Sequence, residues 1–248
     1  MKKRMKTLII IPARLSATRL PGKPLLKING KSIISHVYKK ALDANIGEVY
    51  VATEDQEIID DINLNGGQAI LTKNNHKTGT DRIYEALQKI GEPEVELVMN
   101  LQGDEPLMNI EDIRNLRLQM IKTKSRLGTL ASKITNKNLY DKHNVVKVIT
   151  KENLNISLFS EALKFTRTVN NLSENTYHHL GIYCYQTETL QNFVSLDQSQ
   201  NEIKNKLEQL RALDNNIKIK VSLAREAPIG VDTEEDFVAI KKIMEYKS

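Results

Sequence analysis

Residues Ile9–Lys31 read IIIPARLSATRLPGKPLLKINGK. An apolar, β-branched run from Thr7 to Ile11 stops at Pro12, and Arg14, Arg19 and Lys23 follow on a segment stiffened by Pro21 and Pro24. A continuous run of this kind is the pattern of a strand buried on both faces, as in a parallel sheet. In open parallel sheets ligands sit outside the carboxyl ends of the strands. Three cations there, with Gly22 allowing close backbone approach, describe a cradle for a polyphosphate. The segment contains neither GxxxxGK[ST] nor GxGxxG, and alone it reads equally well as a solvated basic loop.

Working outward, strand and helix patterns alternate through the first hundred residues. Ile33, Ile34, Val37, Tyr38, Ala41 and Leu42 fall at helical spacing after the Asn29-Gly30 turn. EVYVAT (Glu48–Thr53) predicts a strand, EDQEIIDDINLNGG a helix stopped by Gly66-Gly67, and QAILT a strand. TGTDRIYEALQKI predicts a helix with Ile83, Leu87 and Ile90 turned inward, and VELVMNLQ a strand ending in GDEP. Such alternation predicts a parallel sheet with helices on both faces.

The second part is more mixed. GTLASKI, VVKVIT, HHLGIYCY and IKIKVSLA predict strands. NEIKNKLEQLRALDNN predicts one helix, with Ile203, Leu207, Leu210 and Leu213 on one face. Thr233 and Asp236 form a capping-box pattern before a last helix carrying Phe237, Ile240 and Ile243. With no repeat, low-complexity stretch or Gly/Ser linker, residues 1–248 read as one domain. The middle section, about 125–200, reads as an extension or a dimer surface.

Composition bounds the function. The chain has 248 residues, 40% of them hydrophobic, which suffices for a core. The single cysteine, Cys184, rules out an internal disulfide framework and a Cys-rich zinc site, and suits a reducing cytoplasm. The basic, briefly apolar start (MKKRMKTLIII) is too short for a signal-peptide core or a membrane span, so a cytoplasmic protein without membrane insertion is expected. The net charge of +5 is interleaved with acids and forms no long basic block. That suits a small polyanionic substrate better than nucleic acid.

Two carboxylates complete a candidate site. Asp104, in LQGDEP, lies just past the strand at Val95–Leu101, and Asp232 lies in PIGVDTEEDF just before the last helix. Two carboxylates beside a polyphosphate suit Mg²⁺, which takes one or two protein carboxylates plus phosphate oxygens. As plain structure, Asp104 would belong to a turn and Asp232 would cap its helix.

In these motifs the chain resembles the 3-deoxy-manno-octulosonate (Kdo) cytidylyltransferase family. The resemblance is carried, in order, by IIPARLSATRLPGKPL, TGTDR, NLQGDEP, HHLGIYCY, LEQLR and VDTEED, and spans nearly the whole chain. It implies a Rossmann-like nucleotide-diphospho-sugar transferase fold, α/β with a mostly parallel central sheet. It implies transfer of CMP from CTP to the anomeric hydroxyl of Kdo with release of pyrophosphate, serving lipopolysaccharide synthesis. It also implies a homodimer with Mg²⁺ as cofactor. Carried over by residue, Arg14, Arg19, Lys23, Arg82 and Gln102 would bind CTP, and Asp104 and Asp232 would hold the metal. Lys23, Asp104 and Asp232 would be catalytic, and His179, Tyr183, Glu208 and Gln209 would bind the sugar.

One position departs from the pattern. Glu161, in LFSEALKFTR, stands where the family has an arginine thought to serve the acid sugar. Either Arg167 or a lysine such as Lys164 substitutes, or the sugar is a relative of Kdo such as 8-amino-Kdo or a sialic-type acid. A non-catalytic nucleotide-binding protein on the same fold would be expected to lack Asp104 or Asp232.

Overall fold

The computed structural model describes residues 5–16, 19–135, 140, 142–155, 158–169 and 173–246. The basic residues 1–4 at the start of the chain therefore lie outside the described residues. The chain divides into two compact units, residues 1–110 with 228–248, and residues 111–227.

The first unit is built on four parallel strands: β1 (Lys6–Ala13), β4 (Glu48–Thr53), β5 (Ala69–Leu71) and β6 (Val95–Asn100). Their order is β5-β4-β1-β6, with Ile9 opposite both Val49 and Met99. Leu8, Ile9, Ile10 and Ile11 are all fully buried, as the unbroken apolar run requires. Between β1 and β4 lie a small hairpin, β2 (Lys27–Ile28) with β3 (Lys31–Ser32), and α1 (Ile33–Asp43). Ser32 caps α1 by accepting from Ser35 N–H. The helices α2 (Gln56–Leu64) and α3 (Gly79–Ile90) make the next two crossovers. Thr78 and Asp81 close a capping box on α3, and Gly66, at φ 74, follows the end of α2.

The chain runs outward from β1 through β4 to β5, then returns to pair β6 on the other side of β1. The topological switch thus falls between β1 and β6, where parallel sheets open a crevice. The residues after β1 and β6 are Arg14–Lys23 and Gln102–Asp104.

The second unit holds α4 (Ile110–Thr123, from Glu111 on), β7 (Leu127–Ser132), β8 (Lys147–Thr150), β9 (Phe159–Thr166), β10 (Thr176–Gln186) and β11 (Ile219–Leu223). Its strand order is β10-β7-β11-β9-β8, and β8 also pairs β10, which closes the ring. Among the described residues of this unit only β7 and β11 run parallel, so the expected parallel arrangement belongs to the first unit. The strand β9 and the helices α4 and α5 (Thr187–Ser195) lie outside the elements expected from the sequence, although Ile113, Leu116 and Met120 fall at helical spacing on the buried face of α4.

The single helix expected over Asn201–Asn216 is broken into α6 (Gln200–Asn205) and α7 (Leu210–Asp214). Lys206 ends α6 at φ 51, in the left-handed region. A buried ion pair bridges the break, with Arg211 Nε and Nη2 donating to Glu202 at 2.8 and 2.6 Å. The Arg211 guanidinium also lies 4.6 Å from the centre of the Phe193 ring. Satisfying a buried guanidinium bidentately outweighs the helix propensity of the few intervening residues. The last helix, α8 (Glu234–Tyr246), begins at the expected capping box: Thr233 Oγ1 accepts from Asp236 N–H at 3.2 Å, and Asp236 accepts from Thr233 N–H at 2.9 Å.

Candidate active site

The carboxyl end of β1 turns back on itself. Gly22 takes φ 69, a left-handed value that its missing Cβ permits, and its N–H donates to Leu15 O at 3.2 Å. A 3₁₀ turn over Lys23–Leu25 follows, with Pro24 buried inside it. Leu20, Ile28 and Ile33 pack with Val231 and Ile240 in one apolar cluster. That cluster fastens the basic loop to the C-terminal segment, more than two hundred residues away in sequence. Val231 N–H donates to Asp104 O at 2.9 Å, so the segment carrying Asp232 is also tied to the segment after β6.

These ties bring the separated charges together. Lys23 Nζ donates to Asp104 Oδ2 at 2.6 Å and lies 3.4 Å from Asp232 Oδ1. Arg19 Nη2 donates to the same Asp232 oxygen at 2.9 Å. The cap of α8 is Thr233, not Asp232, which leaves the Asp232 side chain to the basic loop. Gly103 sits where a Cβ would come 3.0 Å from Pro12 O and 3.1 Å from Ile34 Cδ1, so glycine lets the β6 segment close on β1.

A cavity of about 380 Å³ opens over these groups. Arg14, Arg19, Lys23, Arg82, Gln102, Asp104 and Asp232, all seven residues expected at a CTP and metal site, line it. Arg14 is exposed. Arg82 is buried and is already engaged, donating to Thr72 Oγ1 at 2.6 Å and pairing with Glu54. Two further features went unread in the sequence. Asp55 Oδ2 accepts from Leu15 N–H at 2.7 Å and so holds the start of the basic loop. His76 lines the cavity and pairs with Glu85. Neither residue sits in a motif, and only the crossover geometry brings them there.

Glu105 adjoins this cluster. Burial, then Asp104 and Asp232, push its carboxyl up to about 8, against the opposing pull of Lys23. Its buried Oε2 has no hydrogen-bond partner. Among the described residues no cluster of three or more His, Cys, Asp or Glu side chains could hold a metal ion alone. Two carboxylates reaching one ammonium are a different donor set, the kind that takes a hard cation together with phosphate oxygens.

The sugar-side candidates lie in the second unit. His179 and Tyr183 share a strand face with ring centres 5.5 Å apart, and Phe165 stands edge-on to His179 at 5.0 Å. Thr129 Oγ1 donates to Ile182 O at 2.7 Å, so it accepts from His179 Nε2 at 3.0 Å. Burial, and then His178, push the His179 imidazole down to about 3. Burial, then Tyr185 and Glu208, hold the Tyr183 phenol well above its ordinary range. Glu208 and Gln209 occupy the turn between α6 and α7, rather than adjacent positions on one helix.

Glu161 belongs to the opposite face. Register aligns Tyr183, Thr129, Val221 and Ser160 across the strands, and Cys184, Gly128, Lys220 and Glu161 in the neighbouring row. Glu161 lies 3.3 Å from Lys218 Nζ and 3.9 Å from Lys220 Nζ. Arg167 donates through all three guanidinium nitrogens to the main-chain oxygens of Asn205, His143 and Lys206. Its guanidinium therefore staples loops and is no freely available substitute for the arginine expected at Glu161.

A parallel sheet with a switch point, a basic loop beyond β1 and two carboxylates define a nucleotidyl-transferring class of α/β protein. The chain belongs to the cytidylyltransferase family, whose profile matches residues 8–219. It is 42% identical, over 97% of its length and 98% of the relative's, to a 3-deoxy-manno-octulosonate cytidylyltransferase of Thermodesulfovibrio yellowstonii. It is 41% identical, over 96% of both chains, to the same enzyme of Afipia carboxidovorans. Among solved structures, CMP:2-keto-3-deoxy-manno-octonic acid synthetase complexed with CTP superposes with a TM-score of 0.88 at 36% identity, covering 98% of this chain and all of that one. Among the described residues no helix is long and apolar enough to cross a membrane.

Proposed function

We propose that this chain transfers CMP from CTP to the anomeric hydroxyl of 3-deoxy-manno-octulosonate, releasing pyrophosphate. The observation that carries the reading is the Lys23 ammonium held between Asp104 and Asp232, with Arg19 on Asp232, beneath an open cavity at the switch point of the sheet. The named relatives supply the sugar. The anomeric oxygen attacks the α-phosphorus, a sugar O–P bond forms, and the bond between the α-phosphorus and the bridging oxygen breaks. Pyrophosphate leaves with that oxygen, and the hydroxyl proton passes to solvent.

The protein's part is positioning and charge neutralisation. Arg14, Arg19 and Lys23 would draw the triphosphate into the cavity, and Lys23 would turn from its carboxylates to the phosphate oxygens. Asp104 and Asp232 would hold a magnesium ion, which supplies Lewis-acid neutralisation of phosphate charge when bound. Arg82, fixed by Glu54 and Thr72, gives the cavity wall a rigid shape. His179, Tyr183, Glu208 and Gln209 would receive the sugar. A homodimer, a place in lipopolysaccharide synthesis and a cytoplasmic site of action complete the proposal.

Pyrophosphate release from CTP and Mg²⁺ with Kdo, 8-amino-Kdo and a sialic acid in turn tests it, with the CMP-sugar confirmed by mass spectrometry. Kdo-dependent release is expected. Release with none of the three sugars would overturn the reading.

A further inference from the structure

A buried arginine–glutamate pair in the second unit has no role in the proposed reaction. Glu202, on α6, is 3% exposed, and Arg211, on α7, is 2% exposed. Arg211 Nε and Nη2 each donate to one Glu202 oxygen, so the contact is a two-pronged fork. Burial pushes the Glu202 carboxyl up, but hydrogen bonds from Arg211 and Gln198 outweigh it and hold the group below its ordinary value. The main chain is tied at the same two residues. Leu207 N–H donates to Glu202 O at 3.2 Å, and Arg211 N–H donates to Glu208 O at 3.1 Å. Between them Lys206 takes φ 51, a left-handed value that a lysine keeps only where its surroundings impose it.

This brace encloses the turn that carries Glu208 and Gln209. The turn stands by the ring-bearing face of β10: after burial and Tyr185, Glu208 raises the Tyr183 phenol, so its carboxylate is within electrostatic reach of that hydroxyl. A row of rings leads from there back to the brace. Ring centres are 5.5 Å apart from His179 to Tyr183, 5.9 Å from Tyr183 to Tyr185, and 6.1 Å from Tyr185 to Phe193 on α5. The Arg211 guanidinium closes the row, 4.6 Å from the Phe193 ring centre. One guanidinium therefore joins the turn to the ring row that holds His179 and Tyr183. A buried ion pair gives little net stability, because desolvation offsets its attraction, but it admits few geometries.

We infer that Glu202 and Arg211 are positioning residues for the acid sugar: the pair fixes the turn so that Glu208 and Gln209 keep one placement against His179 and Tyr183. The inference rests on the proposed use of Kdo and on those four residues receiving it. The pair lies wholly in the second unit, whereas the triphosphate cations Arg14, Arg19 and Lys23 belong to the first. Its loss should therefore reach the sugar and spare CTP.

The test compares wild type, Glu202→Gln, and the double variant Glu202→Gln with Arg211→Met, which removes both charges and leaves no buried ion unpaired. For each, kcat/KM for Kdo at saturating CTP, CTP affinity by calorimetry without sugar, and Tm are measured. Both variants should lower kcat/KM for Kdo about tenfold, the worth of one neutral hydrogen bond to the sugar, with CTP affinity unchanged. The double variant should regain Tm over the single one without regaining activity towards Kdo, a split that a purely structural pair would not show. An unchanged kcat/KM for Kdo in both variants overturns the inference, and so does its recovery together with Tm in the double variant. Equal losses towards Kdo and CTP also overturn it, since they mean general loosening. Should either variant not fold, the other decides; should neither fold, Arg211→Lys, which keeps the charge and loses the fork, decides by the same split between Kdo and CTP. A wild type that turns over none of the sugars sinks the proposed reaction, whereas an active wild type with variants that match it sinks this inference alone.

Discussion

Replacing Lys23 by alanine removes the one ammonium that touches both Asp104 and Asp232. Only 14% of its side chain is exposed, and its bond to Asp104 is 2.6 Å long. A charge-assisted hydrogen bond of this kind contributes about 1.5–3 kcal/mol. The contact to Asp232, at 3.4 Å on a carboxylate 39% exposed, adds little in so wet a position. Without metal, Lys23→Ala should therefore lose about 2 kcal/mol of stability, a fall in Tm of roughly 4–8 °C for a chain of this size. Asp104 would then lose its ammonium partner while Asp232 keeps Arg19, so added Mg²⁺ should recover more stability in the variant than in wild type. The same change should raise the KM for CTP by about tenfold or more, because the phosphates lose one of the cations lining the cavity. Thermal unfolding in EDTA and in Mg²⁺, together with pyrophosphate-release kinetics, gives all three quantities. An unchanged Tm in EDTA combined with an unchanged CTP KM would show the loop to be a solvated basic surface and refute the reasoning.

Asp104→Asn should cut turnover by about a hundredfold or more while the protein stays folded, since the main-chain bond from Val231 survives; near-normal turnover would remove Asp104 from the site. Arg167→Ala should leave the sugar KM unchanged and cost roughly 1 kcal/mol of stability, because its guanidinium serves loop carbonyls; a raised sugar KM with full stability would reverse that assignment. His179 has a folded value of about 3 against 6.5 when unfolded, so the unfolded chain takes up its proton first as pH falls. Stability from this group is complete above pH 6.5 and drains away towards pH 3, by about 2 kcal/mol at pH 5. His178, pushed down by burial and by Lys147, adds to the same trend. Denaturant midpoints at pH 7 and pH 5 should differ in wild type and differ less in His179→Gln; equal differences would refute the buried neutral imidazole.

The features that linear patterns do not carry share a cause. The helix expected over Asn201–Asn216 satisfied the 3.6 period, yet Glu202 and Arg211 meet across a break that no period records. Glu161 draws attention by its charge, but the strand register turns it to the face opposite Tyr183, and no linear pattern carries register. His76 and Asp55 stand outside every motif, and both act through partners on other elements, Glu85 and Leu15.

What the sequence determined by itself is local. The apolar run of β1, the alternation of strand and helix to β6, the capping residues Thr78 and Thr233, and the cations and carboxylates at strand ends all follow from neighbouring residues. Side-chain period and backbone capping act within a few residues, so they survive in a one-dimensional record. The tertiary structure alone decided that Asp232 joins Lys23 rather than capping its helix, that Arg82 is bound to Glu54, and that His76 reaches the cavity wall paired with Glu85. Those outcomes depend on the Leu20–Val231–Ile240 cluster and on a crossover that returns the chain to the far side of β1. Packing of this kind is a property of many distant residues at once, and no single stretch of sequence records it.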